Sequence, residues 1–573
     1  MTFDESAAGG RAGASNIFEL SDRYVVETAA LDPMAATFWG IAGHDHRMTD
    51  YSPEGWADRL DLQHRTMRQL EQLAPRSRND RIAIDVMHER VGAERDLIES
   101  GEYHHWLCSM NSHYEFIHEI FDFMPRESDE DWSNVRQRLE AVPDALDKVR
   151  ASLLHAANEG KVAAQRQALD SAGQCELWGQ PGGAFADLAG ECDSIDLTTA
   201  ASRAADAFAE FGGWLRADYW ALASPREPVG TERYQLFARY YNGAVLDLDD
   251  TYAWGWDQLH SIEVRIHELV GKILPGATRD ECIDQLNTAP GYVVEGADNF
   301  VAWNQDLIDR TIAELDGKYF EIAPQLRRCQ AMPVPAGGPN TAYYTPPNED
   351  FSRPGQIWHP VAGRTQFPLW NALTIVYHES TPGHHLQFGQ MMCQAESLTR
   401  FQRLGGGIDG HCEGWALYAE RLMHELGYFD DPVYELGWLV SQALRAARVI
   451  LDIGLHCEMR IPGDERFHPG ERWQPEMGLP FLIERTGYPS EYLASEVGRY
   501  LGMPGQAISY KVGERVWLEG RERAKLRLGA KFDLRQFHKV MLEMGTMGLD
   551  QLRAELDAFG SPMPDEIVSA ASA

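Results

Sequence analysis

The densest group of chemically capable side chains in the sequence is His378-Glu379-Ser380-Thr381-Pro382-Gly383-His384-His385. Imidazoles hold divalent metals, and a carboxylate beside the metal takes a proton from bound water. A His-Glu pair with further histidines close by therefore carries what a hydrolytic zinc site needs. The usual spacing puts the second histidine four residues after the first, one turn along the same helix face. Here that position is Pro382, which cannot ligate. In an unbroken helix a seven-residue step returns to the same face, but about 10 Å further along the axis. That is too far for two nitrogens that must each lie about 2 Å from one ion. Pro382 removes a backbone donor and clashes with the preceding turn, and Gly383 tolerates unusual dihedrals. Together they predict a break that returns His384 or His385 to the metal. His384 is the preferred ligand, with His385 as its substrate-facing neighbour, and Glu379 is the general base.

A third protein ligand is expected downstream, where Asp409 to Glu420 opens another helix with Trp415, Tyr418, Leu422 and Leu426 as its apolar stripe. Glu413 and Glu420 share a face but lie about 10 Å apart along it, so only one can bind the same ion. Glu413 is the expected ligand and His411 its rival. Glu420 is placed to orient a ligating histidine, as such imidazoles usually require.

Further chemistry sits on a third helix, Leu436 to His456, where Arg445, Arg448, Asp452 and His456 recur at steps of three and four on an otherwise apolar segment. Such a stripe is either a buried ion-pair network, with Arg448 meeting Asp452 and Asp452 reaching His456, or the wall of a cleft. In the second case an arginine, Arg445 or Arg448, or else Lys511, holds a substrate carboxylate. Tyr500 and Tyr510 flank a Pro-Gly turn and, with His456, are candidates to donate to an oxyanion. Tyr344, in the alternating run Thr341–Thr345, is a further substrate-facing candidate.

The elements that must position these groups are overwhelmingly helical. Ser52-Pro53 is a cap and first-turn proline followed by Trp56, Leu60, Met67 and Leu70 at helical spacing. Leu146, Val149 and Leu153 continue the style after Pro143, and Ala200 to Leu222 and Tyr252 to Leu274 repeat it. The clearest strand is Thr341–Thr345, stopped by Pro346-Pro347. Met332 to Pro339 is rich in proline and glycine and marks a lobe boundary. The Gly405-Gly406-Gly407 run is either a surface loop or a loop giving access to a cleft. The expected fold is mainly α, with an N-terminal helical lobe (1–331) and a helical metal-site lobe (332–573) around a deep cleft, a small amount of β, and both lobes forming one continuous unit.

Composition narrows the function. The chain of 573 residues has a formal net charge of −35, which disfavours nucleic acid and anionic membrane surfaces as partners. The start lacks the basic and apolar stretches of a signal peptide, and no window offers a membrane span. The eight cysteines are thinly spread and form no C-x-x-C pair, which fits reduced thiols in the cytoplasm. A short peptide or small amide is the expected substrate, and the sequence leaves room for a homo-oligomer.

The segments YHESTPGHHLQ, EGWALYAE, RAARVILDIGLH and PGQAISYKVG, with the opening LDPMAATFWGIAGHDHRMTDYSP, closely resemble the bacterial domain of unknown function 885 family. The resemblance spans nearly the whole chain. In outline it is similar to helical zinc peptidases such as angiotensin-converting enzyme, thimet oligopeptidase and the thermostable carboxypeptidases. It implies zinc held by His378, a later histidine of the same motif and Glu413, with Glu379 as the base and Tyr510 as the oxyanion donor. The expectation is thus a zinc-dependent hydrolase, peptidase- or carboxypeptidase-like. The alternatives are a zinc amidase or esterase acting on a non-peptide, or a non-catalytic metal-stabilised binding protein.

Overall fold

The computed structural model describes residues 15–335 and 341–560. It is mainly helical, with two small sheets. The helix expected after Ser52-Pro53 is α1 (Pro53–Leu70), and the Ser52 side chain accepts a hydrogen bond from Gly55 N at 3.2 Å. The run expected at Leu146, Val149 and Leu153 is helical, and its helix, Asp129–Asn158, begins before Pro143 and carries that proline inside it. Among the described residues no helix is long and apolar enough to cross a membrane.

The element that organises the metal-site region is α6 (Pro432–His456). Every residue from Leu436 to His456 is buried. A helix with apolar residues all round belongs in a core rather than at a surface, and this one packs lengthwise on α2 (Leu248–Ile273). Gly255 of α2 permits the approach, because a Cβ there would lie 3.0 Å from Val449 Cγ1. Arg445, Arg448, Asp452 and His456 are therefore all interior, and each must find partners there to offset its desolvation.

Among the described residues, five short strands complete the frame. β1 (Val293–Glu295) pairs antiparallel with β5 (Gln366–Pro368). β2 (Cys329–Pro333) runs parallel to β4 (Gly355–His359), and β3 (Tyr343–Thr345) runs antiparallel to β4 on its other side. The strand expected at Thr341–Thr345 is thus present in its last three residues. Met332 and Pro333, expected in a linker, belong to β2 and pair with Trp358 and His359. The remainder of that expected linker, 336–340, lies outside the described residues. The glycine run after Leu404 is tied down rather than free, since Gly406 O accepts from Thr546 Oγ1 at 3.0 Å.

The main hydrophobic core draws on residues from Ile17 to Phe559. A second core gathers residues between Met34 and Tyr241, together with Met503. All eight cysteines are free.

Candidate metal centre

The His-Glu motif begins at the end of α3 (Ala372–Glu379), which Leu373, Val376 and Tyr377 fix in the core. The helix stops at Ser380, the Thr381–Pro382 peptide bond is cis, and a new helix, α4 (His384–Met392), starts after Gly383. Gly383 is needed for space rather than for a left-handed backbone. Its φ is −75°, but a Cβ there would stand 1.9 Å from His378 O and 2.5 Å from Tyr377 O. The chain thus folds back onto the end of α3. The Trp415 indole clamps the turn by donating to Pro382 O at 2.8 Å and Gly383 O at 3.2 Å. Six residues of regular helix would separate His378 from His384 by about 9 Å along the axis. The break instead brings their ring centroids to 4.9 Å, with the planes at 85°.

Glu413 comes from α5 (Asp409–Glu425). Its Oε2 lies 3.2 Å from His378 Nε2 and 3.6 Å from His384 Nε2. One donor atom from each of the three residues falls within 4.8 Å of the others. Ligands about 2.0–2.2 Å from a tetrahedral zinc stand roughly 3.3–3.6 Å from one another, so the donor set suits that ion and the two Glu413–histidine distances lie close to this spacing. Two turns along α5, the fully buried Glu420 accepts from Thr374 Oγ1 at 2.7 Å and lies 2.8 Å from His378 Nδ1. This is the orienting contact expected of it, and it leaves His378 Nε2 facing Glu413.

The electrostatics suit a cation. Burial alone would lower the pKa of His378, but hydrogen bonds to Glu413 and Glu420 outweigh it and push the imidazole up to about 10. Burial would likewise raise Glu413, yet the two histidines hold its carboxyl well below the usual range. Glu379 makes no hydrogen bond among the described residues, and burial pushes its carboxyl up against the pull of His378 and His384. A carboxylate raised in this way is a better proton acceptor near neutrality.

Tyr510 arrives on α8 (Ser509–Leu528), against the other face of α5. The two helices cross at glycines. A Cβ on Gly513 would lie 1.9 Å from Gly410 O, and one on Gly414 would lie 2.4 Å from Gly513 Cα. That contact sets the Tyr510 ring nearly parallel to His378, with centroids 6.3 Å apart and planes at 21°. Its hydroxyl has no hydrogen bond among the described residues. Burial pushes its pKa above the usual phenol range, which keeps it a neutral donor.

Several expected site residues are spent elsewhere. His385 does not face the triad. Its Nδ1 is 3.0 Å from the Tyr344 hydroxyl and its Nε2 2.9 Å from Leu326 O, so neither His385 nor Tyr344 is positioned by the structure as a substrate contact. His411 lies apart from the triad, its Nδ1 3.2 Å from Met547 N. His456 has both ring nitrogens at backbone groups, Nε2 at Tyr500 O and Nδ1 at Val229 N, which removes it as an oxyanion donor. The Tyr500 hydroxyl donates to Glu496 at 2.7 Å, on α7 (Ser490–Gly502), and accepts from Arg448 Nε at 3.0 Å. Arg448 pairs with Glu496 rather than with the expected Asp452, which instead accepts from Tyr234 and Gly505 N. Lys511 is fully buried against Glu514 and Gln442. Arg445 lies 4.0 Å from Glu420, which holds His378, and the paired Arg448 stands 4.6 Å from the centre of the Tyr510 ring.

Two contributors were not anticipated. Thr374 holds Glu420; its signal was a hydroxyl four residues before His378, on the same face. Asp409, one turn before Glu413, is half-buried, accepts from Gln506 Nε2 at 2.8 Å, and has its carboxyl pushed up to about 6 by burial.

Comparison places this geometry among proteins of unassigned role. The model of a family described as bacterial protein of unknown function (DUF885) matches residues 33–556. A solved structure described as a putative lipoprotein from Colwellia psychrerythraea superposes with a TM-score of 0.81 at 21% identity, covering 94% of this chain and 98% of that one. A second, described as a putative lipoprotein of unknown function from Shewanella oneidensis, gives 0.71 at 18% identity, covering 95% and 100%. These likenesses concern the fold. No curated protein matches the sequence.

Proposed function

The chain belongs to the DUF885 family of bacterial proteins, whose function is unknown, and we propose that it is a zinc-dependent hydrolase that cleaves amide bonds in short peptides. The observation that carries this reading is the convergence of His378, His384 and Glu413 within 4.8 Å of one another, with Glu420 fixing His378 from behind and Glu379 adjoining in sequence. A solvated acidic patch would not bury two imidazoles against a carboxylate and orient one of them with a second.

In this reading His378, His384 and Glu413 hold the ion. Zinc there supplies a Lewis acid that polarises the amide carbonyl and acidifies water. Glu379 takes a proton from the attacking water and returns it to the departing amine nitrogen, a task suited to its raised carboxyl. The neutral Tyr510 hydroxyl donates to the carbonyl oxygen as it gains charge. Glu420 and Thr374 keep the tautomer and ring angle of His378 fixed throughout. The helical zinc peptidases named above use the same set of groups, two histidines of one motif, a later glutamate and a tyrosine, and that likeness supports a peptide substrate. Free cysteines favour a cytoplasmic setting in this proposal, although both structural neighbours are described as lipoproteins.

The test is direct. Purified protein should hold about one zinc per chain and hydrolyse a panel of short peptides. Glu379→Gln should keep the zinc and lose about 100-fold or more of the turnover. A protein that binds no metal, or whose Glu379→Gln variant turns over normally, defeats the proposal.

A further inference from the structure

Four cations near the site donate to carboxylates, two to each. Arg448 and Arg499 both donate to Glu496, at 3.1 and 3.0 Å. Lys511 and Arg421 both donate to Glu514. Arg445 lies on the same buried helix and is only 7% exposed, yet it has no hydrogen-bonded carboxylate among the described residues. One guanidinium nitrogen donates to the oxygens of Ser441, which are neutral, and Nε is buried without a partner. Glu420 is 4.0 Å away, beyond hydrogen-bond reach, and already accepts from Thr374 and His378. A buried guanidinium short of a hydrogen-bonded anion is expensive, and a carboxylate matches its paired donors.

Its location supplies a function. The guanidinium carbon stands 5.9 Å from the centre of the Tyr510 ring. Its charge acts on the Glu379 carboxyl and on the phenols of Tyr488 and Tyr492, two half-buried tyrosines with ring centroids 5.4 Å apart. Arg445 is thus close to the expected base, the expected oxyanion donor and two tyrosine hydroxyls.

We infer that Arg445 anchors a carboxylate of the substrate, so that the preferred substrates are short peptides or acyl amino acids carrying a free carboxylate. This rests on the hydrolase reading for what happens next, but not for the binding itself. The carboxylate is either the α-carboxylate of a C-terminal residue or that of an acidic side chain, and the guanidinium treats the two alike.

The experiment uses full-length zinc-loaded protein carrying Glu379→Gln, so that binding is read without turnover. Benzoyl-glycyl-leucine, its C-terminal amide, and benzoyl-glycyl-aspartic acid α-amide, whose side-chain carboxylate is free, are titrated calorimetrically. The free acid should bind about 10- to 100-fold more tightly than the amide. Arg445→Gln in the same background should abolish that preference, and Arg445→Lys should restore part of it. Equal tightness for the aspartyl compound assigns the anchor to carboxylates in general, and weaker binding of it assigns the anchor to the C-terminus. No preference in the Arg445 protein, no binding at all, or a preference that survives Arg445→Gln overturns the inference. A clear preference in a protein whose parent hydrolyses none of the three upholds the anchor and removes the hydrolase.

Discussion

Replacing Gly383 with alanine tests the argument that a steric fold-back, rather than the histidines alone, makes the metal site. The added Cβ would lie 1.9 Å from the His378 carbonyl oxygen and 2.5 Å from the Tyr377 carbonyl oxygen. Both are backbone atoms, so no side chain can swing away, and the turn must open by more than about 1 Å to reach ordinary contact. Zinc bonds tolerate errors of only about 0.2 Å. An opening of that size between His378 and His384 therefore takes at least one nitrogen out of bonding range. Loss of one ligand should weaken zinc by about 100-fold or more, and the strain should cost about 1–3 kcal/mol of stability. Zinc affinity is measured by competition with a chromogenic chelator, alongside thermal unfolding of the same samples. Gly407→Ala is the control, because a Cβ there meets nothing within 4 Å. If Gly383→Ala binds zinc as tightly as the parent while remaining folded, then the turn does not set the His378–His384 spacing and the reasoning fails.

Three further outcomes are expected. Glu420→Gln removes the charge that orients His378 and should weaken zinc about 10- to 100-fold in the same competition assay, with little change in helix content by circular dichroism. Tyr510→Phe should lower kcat by about 100-fold or more with zinc content unchanged and KM little altered, because the hydroxyl acts on charge that develops only during reaction. Asp452 supplies a pH dependence: burial pushes its carboxyl up to about 7 from an ordinary 3.8, so the folded state binds a proton that the unfolded state releases. Its contribution to stability is therefore complete below about pH 4 and is lost as pH rises towards 7, a change on the order of 1–4 kcal/mol. Urea unfolding of the parent and of Asp452→Asn at pH 5 and 7 should show the parent losing the extra amount, and a parallel response of the two would refute the assignment.

Much of the site was legible because its residues sit close together along the chain. The Pro382-Gly383 break and the rule that only one of Glu413 and Glu420 can reach a given ion follow from helix pitch and ligand reach, which left both His384 and His385 open as the second ligand. What the pattern missed was pairing across long separations. Arg448 has two helical neighbours in Asp452 and Arg445, yet its partner Glu496 comes from another helix. Lys511 and Tyr500 looked available although Glu514 and Glu496 stand one turn away on their own helices; only Gln442 reaches Lys511 from another helix. His385 differs from His384 by one position, but that step turns it about 100° to the Leu326 carbonyl. The mainly helical class was readable from periodicity. The parallel pairing of β2 with β4 was not, since both strands are short and a proline-rich stretch lies between them.

The glycine crossing of α5 and α8 has a mechanical consequence. With Gly410, Gly414 and Gly513 backbone to backbone, the two helices have no side-chain cushion along which to slide, so Glu413 and Tyr510 move as a single rigid plate. Trp415 of the same α5 also holds the fold-back after α3, so the turn that delivers His384, the ligand Glu413 and the Tyr510 helix are all referred to one helix, and a change in α5 would disturb all three at once.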